Sequence, residues 1–219
     1  LTTGVDAGKD FIGTNKDDQF IADNSVTGTV KATAADTLDG GKGVDTFKFY
    51  DDASAGGATT TGSLPTLKNI ENVVIYDSQA TALLDLKQWD SVETLFLVRD
   101  ANATGYTLGG KVTTVNLEDV KANQILNFDA ALTAATLGVN NVVGKTINVN
   151  NVGTALKTLT VNASGKASSI TLANTAATIE TLNITGKANL DLTLTAANIA
   201  TTVKTVDGSK AQGNLTLTN

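Results

Sequence analysis

The sharpest chemical pattern in the chain is Gly40-Gly41-Lys42-Gly43-Val44-Asp45-Thr46-Phe47. It matches the nonapeptide G-G-x-G-x-D-x-apolar, a spacing suited to calcium. The glycines permit a tight turn that aims several carbonyl oxygens at one point. The Asp adds a carboxylate, and the apolar residue two further on anchors the next strand inside. Calcium takes six to eight hard oxygens in a flexible shell, which stacked turns of this kind can supply. Asp36-Thr37-Leu38 lies nine residues before Asp45-Thr46-Phe47, and Gly13-Thr14-Asn15-Lys16-Asp17-Asp18-Gln19-Phe20 is a weaker copy with Lys16 in place of a Gly. Val5-Asp6-Ala7-Gly8 begins a weaker one still. The candidate metal ligands are therefore Asp36, Asp39, Gly41, Gly43 and Asp45, with Asn15, Asp17 and Asp18 from the upstream copy. Asp18 and Asp36 are 18 residues apart, which places them one coil apart in a roll of nine-residue half-turns. Without a metal, the same residues read as a solvated Gly-rich turn. Asp51-Asp52, after Phe49-Tyr50, reads as the solvated end of a strand.

Other chemistry is excluded by composition. With no Cys there are no disulfides, thiolate zinc sites or cysteine nucleophiles. With no His there is no Ser-His-Asp triad and no imidazole acid or base. The net charge is −6 and Arg99 is the only Arg, which argues against a phosphate-tracking surface and hence against nucleic acid. Asp90 and Glu93 read as a solvated coil edge, not as a glycosidase pair. No catalytic residue is assigned, and the chain reads as a non-enzyme. No apolar run approaches the roughly 18–20 residues of a membrane span. Residue 1 is not Met and no Met occurs, so the chain reads as a fragment of a longer or processed protein.

The elements that must carry the motif are short strands. An apolar-x-x-apolar-x-apolar pattern starts at Ile70, Val92 and Val112, passes through a degenerate copy at Ala134, and returns at Leu156, Ile179 and Val203. A second series fills the gaps, among them Leu84-Asp85-Leu86, Tyr106-Thr107-Leu108, Leu126-Asn127-Phe128, Ile147-Asn148-Val149, Ile170-Thr171-Leu172, Leu192-Thr193-Leu194 and Leu215-Thr216-Leu217. Alternation puts the apolar residues on one face and Thr, Asn or Asp on the other. Roughly one residue in six is Thr, well above ordinary usage, which suits strands whose hydroxyls ladder from coil to coil.

The expected fold is all-β: a parallel β-solenoid (β-helix) of about seven coils with a period of about 22 residues. A short Gly/Asp-rich, calcium-binding, β-roll-like segment precedes it. The boundary falls at the small-residue stretch Ala53–Ser63, giving segments 1–63 and 64–219. Trp89 reads as a cap on the apolar column. The sequons at Asn102, Asn162, Asn183 and Asn214 are expected by chance in so Thr- and Asn-rich a chain.

Residues 1–97 carry a family likeness. Leu1-Thr2-Thr3-Gly4-Val5-Asp6, Gly13-Thr14 with Asp18-Gln19-Phe20, Ala35–Phe47, Asn69-Ile70-Glu71-Asn72-Val73 and Leu84–Glu93 with its Trp follow one another in order. This resembles the surface-layer proteins and large repeats-in-toxin (RTX) surface proteins of Gram-negative bacteria, of the Caulobacter and Campylobacter types. The resemblance implies export by type I secretion and folding outside the cell on calcium. It also implies self-association in a two-dimensional lattice at the bacterial cell surface, with lipopolysaccharide held by regions outside this fragment. A stalk or ligand-binding segment of a large RTX adhesin is the alternative, and a polysaccharide-acting β-helix enzyme a more distant one. Only one nonapeptide is complete, a departure from the family's calcium-rich arrays.

Overall fold

A computed structural model describes residues 1–25, 30–51, 61–174, 179–195 and 199–219. It is a parallel β-solenoid. One face is a nine-stranded sheet of β1 (Gln19–Asp23), β3 (Thr46–Tyr50), β5 (Asn72–Tyr76), β7 (Thr94–Val98), β9 (Thr114–Glu118), β11 (Ala134–Asn140), β13 (Thr158–Ala163), β15 (Thr181–Gly186) and β17 (Thr205–Ala211), in that order. A seven-stranded sheet forms the second face, with β6 (Leu84–Asp85), β8 (Tyr106–Thr107), β10 (Gln124–Phe128), β12 (Val143–Asn151), β14 (Ser168–Ala173), β16 (Leu190–Leu194) and β18 (Leu215–Thr218). The first coils close instead through the pair β2 (Thr37–Asp39) and β4 (Thr66–Lys68). Nine rungs at a strand spacing of about 4.8 Å make a rod of roughly 40 Å.

Each strand is built by alternation. In β3, β5 and β7 every second residue is buried. The inward residues stack into columns. Phe47, Val73, Leu95, Val115, Leu137 and Val161 form one, and Phe49, Ile75, Leu97, Leu117, Val139 and Ala163 the next. All are at most 2% exposed. Burying such an aliphatic side chain stabilises by about 1.5–3 kcal/mol, which no single coil can collect without neighbours. On the outer face Thr46, Asn72, Thr94, Thr114, Thr136, Thr160 and Asn183 form a polar column in the same register.

The Gly/Asp-rich segment is not set apart from the rod. β1 and β3 are the first two rungs of the nine-stranded sheet, and β3 pairs with β5 across residue 64. The stretch 52–60, which holds most of the expected linker together with Asp52, lies outside the described residues. Trp89 is 1% exposed and lies inside the column, where its ring meets Phe47 edge-on and its Nε1 donates to the Pro65 carbonyl at 2.8 Å. It is a core residue and not a terminal cap.

Corners are made by left-handed residues. Asp77, Arg99, Asp119 and Asn141 all have φ between 51° and 56°. Each follows a strand of the nine-stranded sheet, and the turn sends the next residue inward. Those next residues are Ser78, Asp100, Val120 and Val142, all at most 3% exposed.

Candidate metal centre at the Gly/Asp turns

The turn preceding β3 sits directly on the turn preceding β1. Gly13 N–H donates to Asp39 O (2.7 Å), Lys42 N–H to Thr14 O (3.1 Å) and Thr46 N–H to Asp18 O (3.0 Å). The glycines are required by this approach. Gly41 has φ 85° and a Cβ there would lie 2.5 Å from Thr14 O; Gly43 has φ 124° and a Cβ would lie 2.6 Å from the Lys16 carbonyl carbon. L-residues rarely adopt such angles, and the contacts are to backbone that cannot swing away.

The carboxylates hold the turns together. Asp18 Oδ2 accepts from Thr14 N–H (2.6 Å) and Thr14 Oγ1 (2.8 Å). Asp17 Oδ1 accepts from Val44 N–H (2.9 Å). Asp39 Oδ1 accepts from Gly41 N–H (3.0 Å) and Asn69 Nδ2 (2.8 Å). Asp45 Oδ1 accepts from Asp18 N–H (2.7 Å), and Asp45 N–H in turn donates to Glu71 Oε2 (2.8 Å). An acid on each rung thus caps an N–H of the rung before it, along the column Asp18, Asp45, Glu71. Such charge-assisted bonds are among the stronger ones. Asn15 is exposed.

Asp36 belongs elsewhere. Its Oδ1 accepts from Asp6 N–H (2.8 Å) and its Oδ2 from Thr33 N–H (2.6 Å) and Thr33 Oγ1 (3.1 Å). It stands before β2, on a different corner of the coil from Asp45. The expected stacking of Asp36 over Asp18 is therefore corrected: Asp45 stacks on Asp18, and Asp36 on Asp6. Coils of 26 to 30 residues at this end, not 18, set the partners. Glu71 was not among the candidates. The alignment of Asn72-Val73 with Thr46-Phe47 places it where Asp45 stands one rung earlier.

The fit to a cation rests on one atom. Asp45 is fully buried, and its Oδ2 has no hydrogen-bond partner among the described residues. Burial first, then the charges of Glu71, Asp18 and Asp17, raise its carboxyl pKa above the usual value. A buried carboxylate among like charges, with an open oxygen, suits a hard cation. Among the described residues no three acidic side chains converge, so turn carbonyls must complete any shell.

Asp90 and Glu93 are exposed, whereas Asp51 is buried at 2% exposure. Its reading as a solvated strand end is overturned: it is enclosed, and its Oδ2 accepts from the Ser78 hydroxyl at 2.9 Å. Asp119, which shows no obvious partner in sequence, pairs with Lys121 and accepts from Asn141 Nδ2.

Fold and site together define a β-solenoid with an acid-capped, Gly-rich first corner. No protein-family model, curated protein or solved structure matches the chain. Among the described residues no helix is long and apolar enough to cross a membrane.

Proposed function

We propose that the chain is a structural, non-catalytic module of a secreted bacterial surface-layer protein, stabilised by calcium and self-assembling into a lattice outside the cell. The observation that carries this reading is the open, buried Oδ2 of Asp45 within two stacked Gly/Asp turns that form the first corner of a continuous rod. Asp45, with Asp18 beside it, would hold the calcium together with carbonyls of the Gly41 and Gly43 turn. The cation would neutralise repulsion among the acids and so lock the first coils onto the rest. Calcium at 100 times its Kd would stabilise the folded chain by about 2.7 kcal/mol. The stacked rungs supply a stiff spacer, a property that a stalk segment of a large RTX adhesin would use equally well.

Thermal unfolding with excess calcium and with EDTA, alongside light scattering, tests this reading. The expected result is a higher Tm with calcium, together with growth in particle size. In Asp45→Asn the calcium-dependent rise shrinks or vanishes. A rise without growth replaces the lattice module by the stalk. Equal Tm in calcium and EDTA overturns the calcium role altogether.

A further inference from the structure

The outer face of the nine-stranded sheet changes chemistry partway along the rod. Two of its columns run Lys48, Val74, Phe96, Asn116, Gly138 and Tyr50, Tyr76, Val98, Glu118, Asn140. On β5 and β7 both positions are apolar or aromatic. On β9 and β11 they hold two amides, a carboxylate and a glycine. Tyr50 and Tyr76 stack with ring centroids 4.4 Å apart, and Tyr76, Phe96 and Val98 are half-buried. At the change lies a notch of about 120 Å³, lined by Phe96, Val98, Asn116, Glu118, Gly138 and Asn140. An enclosed cavity of roughly 150 Å³ accepts a benzene ring, so this open notch has the scale of one six-membered ring.

Gly138 opens the notch. It stands inside β11 without a positive φ, so no turn requires glycine there. Glycine within a strand weakens it and often marks a place of close approach. The fold does not demand that approach here. The atom nearest to a Cβ at Gly138 is Asn116 Oδ1, at 2.0 Å, and it is the end of a side chain that can swing. The space that the glycine leaves is taken by the Asn116 carboxamide, laid across the next rung. Asn140 is fixed as well, because its Oδ1 accepts from Lys166 N–H at 2.9 Å. With that oxygen committed, Nδ2 is the group of Asn140 that donates into the notch.

An apolar wall one rung away from amides and a carboxylate suits a polyol ring, whose C–H face is apolar and whose hydroxyl edge both donates and accepts. We propose that this notch binds a neutral hexose unit of a polysaccharide, with ring C–H groups on Phe96 and Val98 and hydroxyls on Asn116, Glu118 and Asn140. The grid has spacings of about 4.8 Å between rungs and about 6.7 Å between alternate residues, which one sugar ring with its substituents spans. A peptide would instead add to a sheet edge, and β7, β9 and β11 lie inside the sheet. An acidic sugar or a phosphate would meet Glu118 and the neighbouring Asp119 on a chain of net charge −6. The Glu118 charge reaches as far as Tyr76, whose hydroxyl pKa is raised by burial first, then by Tyr50, then by Glu118. The notch is separate from the Gly/Asp turns, so this proposal stands apart from the calcium reading.

Amide NMR titration of the whole chain tests it, run in EDTA to prevent calcium-driven growth, with cellohexaose, mannohexaose and chitohexaose as probes. At least one of the three should shift resonances of β7, β9 and β11 and leave β15 and β17 unmoved. Phe96→Ala should weaken that binding about tenfold. Gly138→Val should abolish it while Tm holds or rises, because valine suits a strand better than glycine and fills the notch. Hexagalacturonate, an acidic counterpart, should not bind. No shift with any of the three probes at roughly 10 mM, shifts that survive both substitutions, or equal binding of hexagalacturonate would overturn the proposal. It also falls if the wild-type chain self-associates without sugar and Phe96→Ala abolishes that association, since the patch is then covered by a second copy.

Discussion

At the residue scale, the glycines and inward acids show which positions the fold dictates one by one. Gly43 and Gly144 both have positive φ, but only Gly43 has backbone against its missing side chain. Gly43→Ala should cost about 3 kcal/mol, because Lys16 backbone must shift as well as the dihedral. Gly144→Ala should cost only about 1 kcal/mol, since nothing lies within 4 Å of its Cβ position. Urea midpoints at constant slope measure both, and equal losses would contradict the stacked-turn geometry. The Gly41 and Gly43 requirement was legible from the nonapeptide, since the motif exists for such an approach. The burial of Asp100 was not, because alternation ends with the strand and says nothing of the turn after it. A signal did exist: Val120 and Val142 occupy the same column, and their apolar character marks the position as inward.

At the scale of the element, two-residue periodicity fixed faces better than partners. The repeat pairs Leu159 with Leu137, whereas Leu137 lies beside Val161 and Ala135 beside Leu159. In the other sheet Leu126 meets Val149 instead of Ile147, and Ile147 meets Leu172. Each slip is by two residues, so every inward side chain stays inward and the core is kept. Apolar patterns carry face information but are degenerate in steps of two, which is why the solenoid was readable and its register was not. In the nine-stranded sheet the slip falls between β13 and β11, the degenerate copy, where the strand runs to 7 residues. Packing there is nevertheless complete: Leu137 is 0% exposed while Val206, on the last rung, is 39% exposed. Leu137→Ala should therefore cost about 3 kcal/mol, and Val206→Ala less than about 1 kcal/mol. Calorimetry on both variants checks the contrast, and similar losses would mean that β11 is poorly packed.

For the whole molecule, the relevant physics is one-dimensional. Each rung contacts its two neighbours, so local stability follows from how many neighbours a rung has and how well it is stapled to them. The rod has unequal ends. At the first rungs, side-chain carboxylates cap backbone N–H groups from the next coil, as Asp45 does for Asp18 and Asp36 for Asp6. At the last rungs, β17 and β18 are partnered on one side only, and every residue of both is half-buried or exposed. Opening should therefore start at β17 and β18 and stop where both sides are paired. Native-state hydrogen exchange should show the fastest strand amides there and the slowest in β7 to β13. Calcium added to the same samples should slow exchange in β1 and β3 more than in β17. If β17 and β18 instead exchange with the central strands, the chain unfolds as one cooperative unit and its two ends are not independent.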